Sequence, residues 1–94
     1  MSDDLLNEKG VAEILITLLE KKQDDSEISQ SELVDQLESI SMWIFNRLLP
    51  QLKAAGLVRQ KRGKYRRKLI LLTDKGTEVA VALKQVKETM SRDN

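Results

Sequence analysis

The sequence predicts a mainly α-helical fold with one small β-hairpin, in the order helix, helix, helix, strand, strand, helix. Three observations support this prediction. Apolar residues recur at helical spacing before residue 56, strand-forming residues are enriched in residues 57–72, and helical spacing returns after Thr73. The 94 residues are enough for a single domain with a small core, which we place at residues 1–94.

Three helices are expected before the strands. The first has five apolar side chains at the spacing of a one-sided helix: Val11, Ile14, Leu15, Leu18 and Leu19. The second begins after Ser29, because Ser29 and Glu32 form the S-x-x-E pattern of a capping box. The third begins after Ser41 and ends at Gly56, with a kink or a tightened last turn expected at Pro50.

The hairpin prediction comes from two runs of strand formers, LVRQKR and YRRKLILL. Gly63 and Lys64 lie between them, so the tip of the hairpin is expected near residues 62–65. Ile70 and Leu72 share one face of the second strand and are expected to pack on the helices.

These elements assemble into a winged helix-turn-helix, which is two helices joined by a short turn and followed by a hairpin, the wing. The helix-turn-helix covers about residues 29–56 and the wing about residues 57–72. Thr73 can cap a C-terminal helix over about residues 74–90.

The composition argues against several classes of function. The chain contains no His and no Cys, so we expect no disulfide, no metal site and no cofactor. The commonest general base and the best nucleophile are also missing, and we expect no enzymatic activity. No apolar run approaches the roughly 20 residues of a membrane-spanning helix. The N-terminus does not resemble a secretory signal, so the cytoplasm is the expected location.

Charge is divided unequally along the chain. Residues 1–40 carry eleven acidic and three basic residues, a net charge of −8, and residues 41–94 carry four acidic and thirteen basic residues, a net charge of +9. Seven of the ten residues 59–68 are basic: Arg59, Lys61, Arg62, Lys64, Arg66, Arg67 and Lys68. Such a run is either a solvated face or a surface that contacts phosphates. Like charges opposed across a hairpin repel each other, and this favours phosphate contact.

The pattern resembles the winged helix-turn-helix transcription regulators of the MarR-like and related small archaeal and bacterial groups. The resemblance lies in SQSELVDQLESIS, LLPQLKAAGLVRQ, the basic hairpin and LILLTDKGTEVAVAL. Within these segments, L-x-x-x-G-L-V ends the recognition helix at residues 52–58, and L-T-x-x-G opens the helix after the wing at residues 72–76. Because this sequence is short, the long terminal dimerisation helices of MarR-like proteins are expected to be missing or trimmed.

The resemblance implies a DNA-facing surface on the third helix, formed by Ser41, Met42, Trp43, Asn46 and Arg47, and a wing at residues 59–68. Asn46 suits bidentate contact with adenine and Arg47 with guanine. The alternative for Arg47 is a surface salt bridge of little energy. Trp43 has three alternatives: contact with DNA, with the core or with a partner chain.

The last helix carries a short seam of apolar residues at spacings of four, three and four: Val79, Leu83, Val86 and Met90. This seam either folds onto the first helix of the same chain or pairs with a second chain. We favour a homodimer, because two recognition helices one DNA turn apart match a palindromic site.

The sequence therefore predicts a DNA-binding transcription regulator whose recognition helix enters the major groove while the wing contacts phosphates or the minor groove. Its expected partners are double-stranded DNA and a second copy of the chain, with no membrane and no metal. We expect it in the cytoplasm, associated with the nucleoid. Two alternatives are a nucleoid-type protein that binds DNA without sequence preference and a winged helix that serves as a protein–protein interaction module.

Overall fold

The computed structural model describes residue 5, residues 7–8, residues 10–38 and residues 40–91. In this part of the chain, four helices surround a three-stranded antiparallel sheet, so the predicted winged-helix architecture is confirmed. The elements in chain order are α1 (Val11–Gln23), β1 (Ile28–Ser29), α2 (Gln30–Gln36), α3 (Met42–Ala54), β2 (Val58–Arg62), a short 3-10 turn (Lys64–Arg66), β3 (Lys68–Leu72) and α4 (Asp74–Ser91).

The core lies where α1, α2 and α3 meet the sheet. Its largest fully buried side chains come from all three helices: Val11, Ile14, Leu15, Leu33, Phe45, Leu48 and Leu52. The sheet contributes Val58, Ile70 and Leu72, and both of the predicted inward residues of β3 are buried. Burial of a side chain of this size stabilises the fold by roughly 1.5–3 kcal/mol, so the core holds the helices against the sheet.

The start of α2 has the predicted capping box. The backbone N–H of Glu32 donates to Oγ of Ser29 at 3.2 Å, and the backbone N–H of Ser29 donates to Oε1 of Glu32 at 3.0 Å. Ile28 before the cap and Leu33 after it are both buried. The two N–H groups that the helix start would leave unpaired therefore have partners.

The third helix begins and ends as predicted. Oγ of Ser41 accepts from the N–H of Ile44 at 3.4 Å, and Gly56 adopts a φ of +77° just beyond the last turn. The N–H groups of Gly56 and Leu57 donate to the carbonyls of Lys53 and Leu52, both at 3.0 Å. This pattern is a Schellman motif, which favours glycine because its φ is positive.

Pro50 lies inside α3 without ending the helix, and the kink or tightened last turn expected there stays a prediction. The helix is continuous from Met42 to Ala54. The carbonyl that loses its helical donor belongs to Asn46, which lies on the exposed side of the helix. A carbonyl on that side is within reach of water, so the helix can continue past the proline.

The predicted hairpin is part of a larger sheet. β2 and β3 pair antiparallel from Val58 opposite Leu72 to Arg62 opposite Lys68. β1 pairs on the other edge of β3, with Ile28 opposite Ile70, and gives the strand order β1-β3-β2. The sequence prediction of two strands missed β1, because two residues carry no alternating pattern from which a strand can be recognised.

The wing tip is longer than predicted and covers residues 63–67. Tyr65 and Arg66 adopt φ values of +58° and +63°, whereas Gly63 has an extended φ of −96°. Arg66 and Arg67 therefore belong to the tip and not to β3. Gly63 is favoured for a different reason: a Cβ there would lie 2.9 Å from Cδ1 of the buried Leu69, and that side chain would have to shift.

The start of α4 is bound to the end of α3. Oγ1 of Thr73 accepts from the N–H of Gly76 at 2.9 Å and so caps α4 as predicted. The N–H of Thr73 donates to the carbonyl of Leu57 at 3.1 Å, and a Cβ on Gly76 would lie only 1.9 Å from that same carbonyl oxygen. Two backbone segments, 56–57 and 73–76, are therefore in direct contact, and this contact has no room for a side chain.

We predict that Gly76→Ala destabilises the fold by roughly 3 kcal/mol, because backbone atoms must move to admit the methyl group. Gly56→Ala is the matched control: its Cβ would meet nothing closer than Cδ of Lys75 at 3.9 Å, so only the positive φ is strained. That strain costs roughly 1–2 kcal/mol. Urea unfolding measures both values, and a loss for Gly76→Ala no larger than for Gly56→Ala would contradict the predicted close contact.

Candidate nucleic-acid interface

The exposed face of α3 presents the residues that the sequence predicted as DNA-facing. The opposite face is fixed by four buried side chains: Phe45, Leu48, Leu49 and Leu52. With that face in the core, Met42, Trp43, Asn46 and Arg47 are all exposed. Ser41 is exposed as well, but its hydroxyl is occupied in capping the helix. The structure thus brings these five residues to the N-terminal half of one exposed helix face.

Trp43 is not a core residue. Its side chain is 74% exposed, whereas its neighbour Ile44 is half-buried and packs against the core. An indole with this exposure leaves most of a large apolar surface in water, which is unusual unless the surface meets a partner. Of the three alternatives for Trp43, DNA and a partner chain remain.

Arg47 makes an ion pair with the N-terminal segment. Its Nη2 lies 3.4 Å from Oε1 of Glu8, and both side chains are well exposed. An exposed pair of this kind contributes about 0–1 kcal/mol. The pair therefore directs Arg47 in the free protein without preventing its transfer to another acceptor.

Asn46 belongs to a polar network that joins three elements. Nε2 of Gln30, at the start of α2, donates to Oδ1 of Asn46 at 2.9 Å. Nε2 of Gln60 in β2 donates to Oε1 of Gln30 at 3.3 Å, and Nζ of Lys53 in α3 donates to Oε1 of Gln60 at 2.9 Å. The sequence analysis did not find Gln30, Lys53 or Gln60, because no motif links them and only the fold brings them together.

The wing cations fall into two groups. Nζ of Lys61 lies 2.6 Å from Oε2 of Glu27, and Nη2 of Arg67 lies 2.5 Å from Oε1 of Glu32, so two cations bind acids on the body of the domain. The other five are exposed and form no ion pair with any residue that the structure describes: Arg59, Arg62, Lys64, Arg66 and Lys68. Arg62 and Lys68 lie opposite each other across the strands, so the predicted like-charge pair is present.

The partner of Arg67 also caps α2. The backbone N–H of Ser29 lowers the pKa of the Glu32 carboxyl, and the hydroxyl of Ser29 and the guanidinium of Arg67 lower it further. Glu32 is therefore held in its charged form, and it connects the wing tip to the first turn of the helix-turn-helix.

A groove of about 300 Å³ separates the wing from the helix-turn-helix. Its lining comes from the start of α2, the start of α3 and the wing: Ser29, Ser31, Gln30, Met42, Arg66, Arg67 and Lys68. The start of α3 and the basic tip consequently border the same groove, which contains three cationic side chains, Arg66, Arg67 and Lys68.

The four residues predicted for a dimer interface lie in two different environments. Val79 and Leu83 are partly buried and pack against the core of their own chain, where the first turns of α4 contact α1. Val86 is 60% exposed and Met90 is 78% exposed. The four residues that were predicted to form one seam are therefore divided: two belong to a contact within the chain and two to an exposed surface.

The part of the chain that the structure describes has neither a side-chain cluster suited to a metal ion nor a helix suited to a membrane span. Within residues 5, 7–8, 10–38 and 40–91, no three His, Cys, Asp or Glu side chains are grouped as a metal ion would require. No helix in the same part of the chain combines the length and the apolar character needed to cross a bilayer.

Several solved structures share this fold. AF1382 from Archaeoglobus fulgidus is 25% identical with a TM-score of 0.79, and the match covers 94% of this chain and 96% of that one. MepR, a transcription regulator of the Staphylococcus aureus multidrug efflux pump MepA, is 24% identical with a TM-score of 0.72 over 85% of this chain. ZitR of Lactococcus lactis is 22% identical with a TM-score of 0.72 over 96% of this chain.

The chain is shorter than two of these relatives, since it covers 57% of MepR and 64% of ZitR. No curated protein matches it. These structural neighbours share the predicted winged-helix fold. Residues 6–90 match the model described as the ArnR1-like winged-helix domain, and the chain therefore belongs to that family.

Proposed function

We propose that the protein is a DNA-binding transcription regulator that inserts the exposed face of α3 into the major groove and rests its wing on the adjacent phosphates or minor groove. One observation carries this proposal: Met42 at the start of α3 and two wing cations without ion pairs, Arg66 and Lys68, border one groove. An α-helix fits the major groove, and clustered cations beside it match the phosphate backbone. MepR, one of the structural neighbours, is a transcription regulator.

The wing supplies affinity more than sequence preference. Arg62 and Lys68 face each other across β2 and β3, and their repulsion destabilises the hairpin until an anion lies between or beside them. Phosphates provide that anion and release counterions when they bind. Lys61 and Arg67 are already paired with Glu27 and Glu32, so we assign them to holding the wing against the domain.

Base recognition is assigned to α3. Asn46 and Arg47 lie near the middle of its exposed face, and both side chains can pair with base edges. Met42 and Trp43 are exposed apolar side chains beside them, suited to contact with a thymine methyl group or a sugar. We assign phosphate contact at the N-terminus of α3 to the first backbone N–H groups and to the hydroxyl hydrogen of Ser41, whose oxygen caps the helix.

The regulator is proposed to act as a homodimer. Val86 and Met90 are exposed on the last turns of α4, and Val81 is 38% exposed earlier on the same helix. A second copy that covers these side chains removes apolar surface from water and provides two recognition helices for a palindromic site. The proposed location is the cytoplasm, at the nucleoid.

A protein-interaction module remains the second candidate because of Trp43, whose indole is 74% exposed beside the exposed Met42. A non-specific DNA-binding protein is the third, since wing cations alone do not select a sequence.

Selection of bound duplexes from a random pool, followed by anisotropy titration, distinguishes the three. A regulator enriches one site and binds it roughly 10³-fold more tightly than random duplex. Enrichment of no site contradicts the regulator, and no binding at low salt contradicts both DNA-binding proposals.

For the wing, we predict that Lys64→Ala weakens binding to every duplex by a similar factor. If Lys64 neutralises one phosphate, the slope of log K against log salt concentration should become shallower by about 0.9. Lys87→Ala is the matched control, because Lys87 is exposed on α4 and outside the wing. Anisotropy at several salt concentrations measures both slopes. An unchanged slope for Lys64→Ala, or an equal change for Lys87→Ala, would be evidence against phosphate contact by the wing.

For α3, we predict that Arg47→Ala loses about 1–3 kcal/mol of binding free energy at the selected site and much less on random duplex. Loss of the exposed pair with Glu8 has little effect on stability, so the variant should remain folded. Binding to the selected site and to single-base variants of it identifies the position whose preference is lost. A uniform loss across all sequences would remove Arg47 from base recognition.

A further inference from the structure

The polar network beside the recognition helix has a defined direction. It runs from Lys53 through Gln60 and Gln30 to Asn46 and contains three hydrogen bonds of 2.9, 3.3 and 2.9 Å. Each amide side chain offers one oxygen acceptor and one NH₂ donor group. A row of hydrogen-bonded amides can therefore point its donors in either direction when nothing fixes one end. The group at one end of the network decides in which direction its hydrogen bonds point.

Lys53 is that group. Its ammonium can only donate, so the atom of Gln60 that faces it must be the oxygen Oε1. Nε2 of Gln60 is then the atom that reaches Gln30, and it meets the oxygen of Gln30. By the same step, Nε2 of Gln30 meets Oδ1 of Asn46. Of the two polar groups of the Asn46 side chain, the NH₂ group is then the one without a partner in the network.

The direction of these hydrogen bonds matters because of where the network lies. Gln30 and Gln60 are half-buried between α2, α3 and β2, where exchange of their partners for water is restricted. Nε2 of Gln30 also lies 4.0 Å from Sδ of Met42, a weak acceptor that suits a donor and not an oxygen. Asn46 and Lys53 are exposed at the two ends of the network on α3.

We propose that Lys53, Gln60 and Gln30 are positioning residues that make Asn46 present its NH₂ donors, and not its oxygen, to the base edges. This inference rests on the proposed function, because it requires that α3 faces DNA. The sequence suggested that Asn46 pairs with both a donor and an acceptor of adenine. The network instead predicts a preference for base edges rich in acceptors, of which guanine, with N7 and O6 adjacent, is the best match in the major groove.

The network can be reversed by one substitution. In Lys53→Glu the end group becomes an acceptor, so the NH₂ of Gln60 turns toward residue 53 and each amide downstream turns with it. Asn46 then presents its oxygen, which should favour an edge with a donor, such as N4 of cytosine or N6 of adenine. A second variant, Gln60→Met, breaks the network without a change of charge and leaves Asn46 free to present either atom.

The experiment compares binding to a set of duplexes that differ only at the base pair where Asn46→Ala removes the preference. The wild type should prefer guanine there by roughly tenfold. Lys53→Glu should reverse this ratio toward cytosine or adenine, and Gln60→Met should reduce it to about twofold or less. Ratios between sequences cancel the general loss of affinity that the added negative charge causes on all duplexes.

The outcomes separate this inference from the proposed function. If the wild type selects no sequence, or if Asn46→Ala alters no base preference, α3 does not read DNA through Asn46 and both proposals fail at that point. If the wild type and Arg47→Ala behave as a base-reading regulator but Gln60→Met keeps the full preference at the Asn46 position, only the directing network is overturned. Gln60→Met decides the matter even where Lys53→Glu binds no duplex.

Discussion

The backbone contact between residues 56–57 and residues 73–76 is the constraint on which the rest of the structure depends. The carbonyl of Leu57 accepts from the N–H of Thr73, and Gly76 lies so close to it that no side chain fits between them. This contact fixes the end of α3, both ends of the hairpin and the start of α4 at one point. The wing cannot move far relative to α3 while the contact is intact, and the geometry of the groove between them follows from it.

Two acidic residues and one polar network complete the arrangement near the other end of the hairpin. Glu27 and Glu32 hold Lys61 and Arg67 against the body of the domain, and Gln60 connects the hairpin to Gln30 and Lys53. Two of the acidic residues among the first forty therefore hold the basic wing in place. Five wing cations form no ion pair with any described residue. In the proposed DNA complex, an interface held in place in this way reduces the ordering cost of binding.

Local signals in the sequence were sufficient for most of the fold. Ser29 with Glu32, Ser41, Gly56 and Thr73 each act through partners within a few residues, so their caps and turns could be predicted. The strand at residues 28–29, the role of Gly63 and the left-handed tip residues depend on contacts with distant parts of the chain, and no local pattern encodes them. The same limit applies to the interface. The DNA-facing side of α3 was expected from the resemblance to MarR-like regulators. The pairing of Arg67 with Glu32 arises only when the wing tip meets α2, and the network at Asn46 arises only when α2, α3 and β2 meet.

We propose that α3 and the wing form one continuous surface for double-stranded DNA. Titration of the ¹⁵N-labelled protein with its selected duplex, followed by amide chemical shifts, tests this claim most directly. We expect the largest changes at residues 41–47 and 62–68, with small changes along α1 and at the exposed end of α4 away from any dimer contact. Changes confined to α4 or α1, or none at saturating duplex, would contradict it.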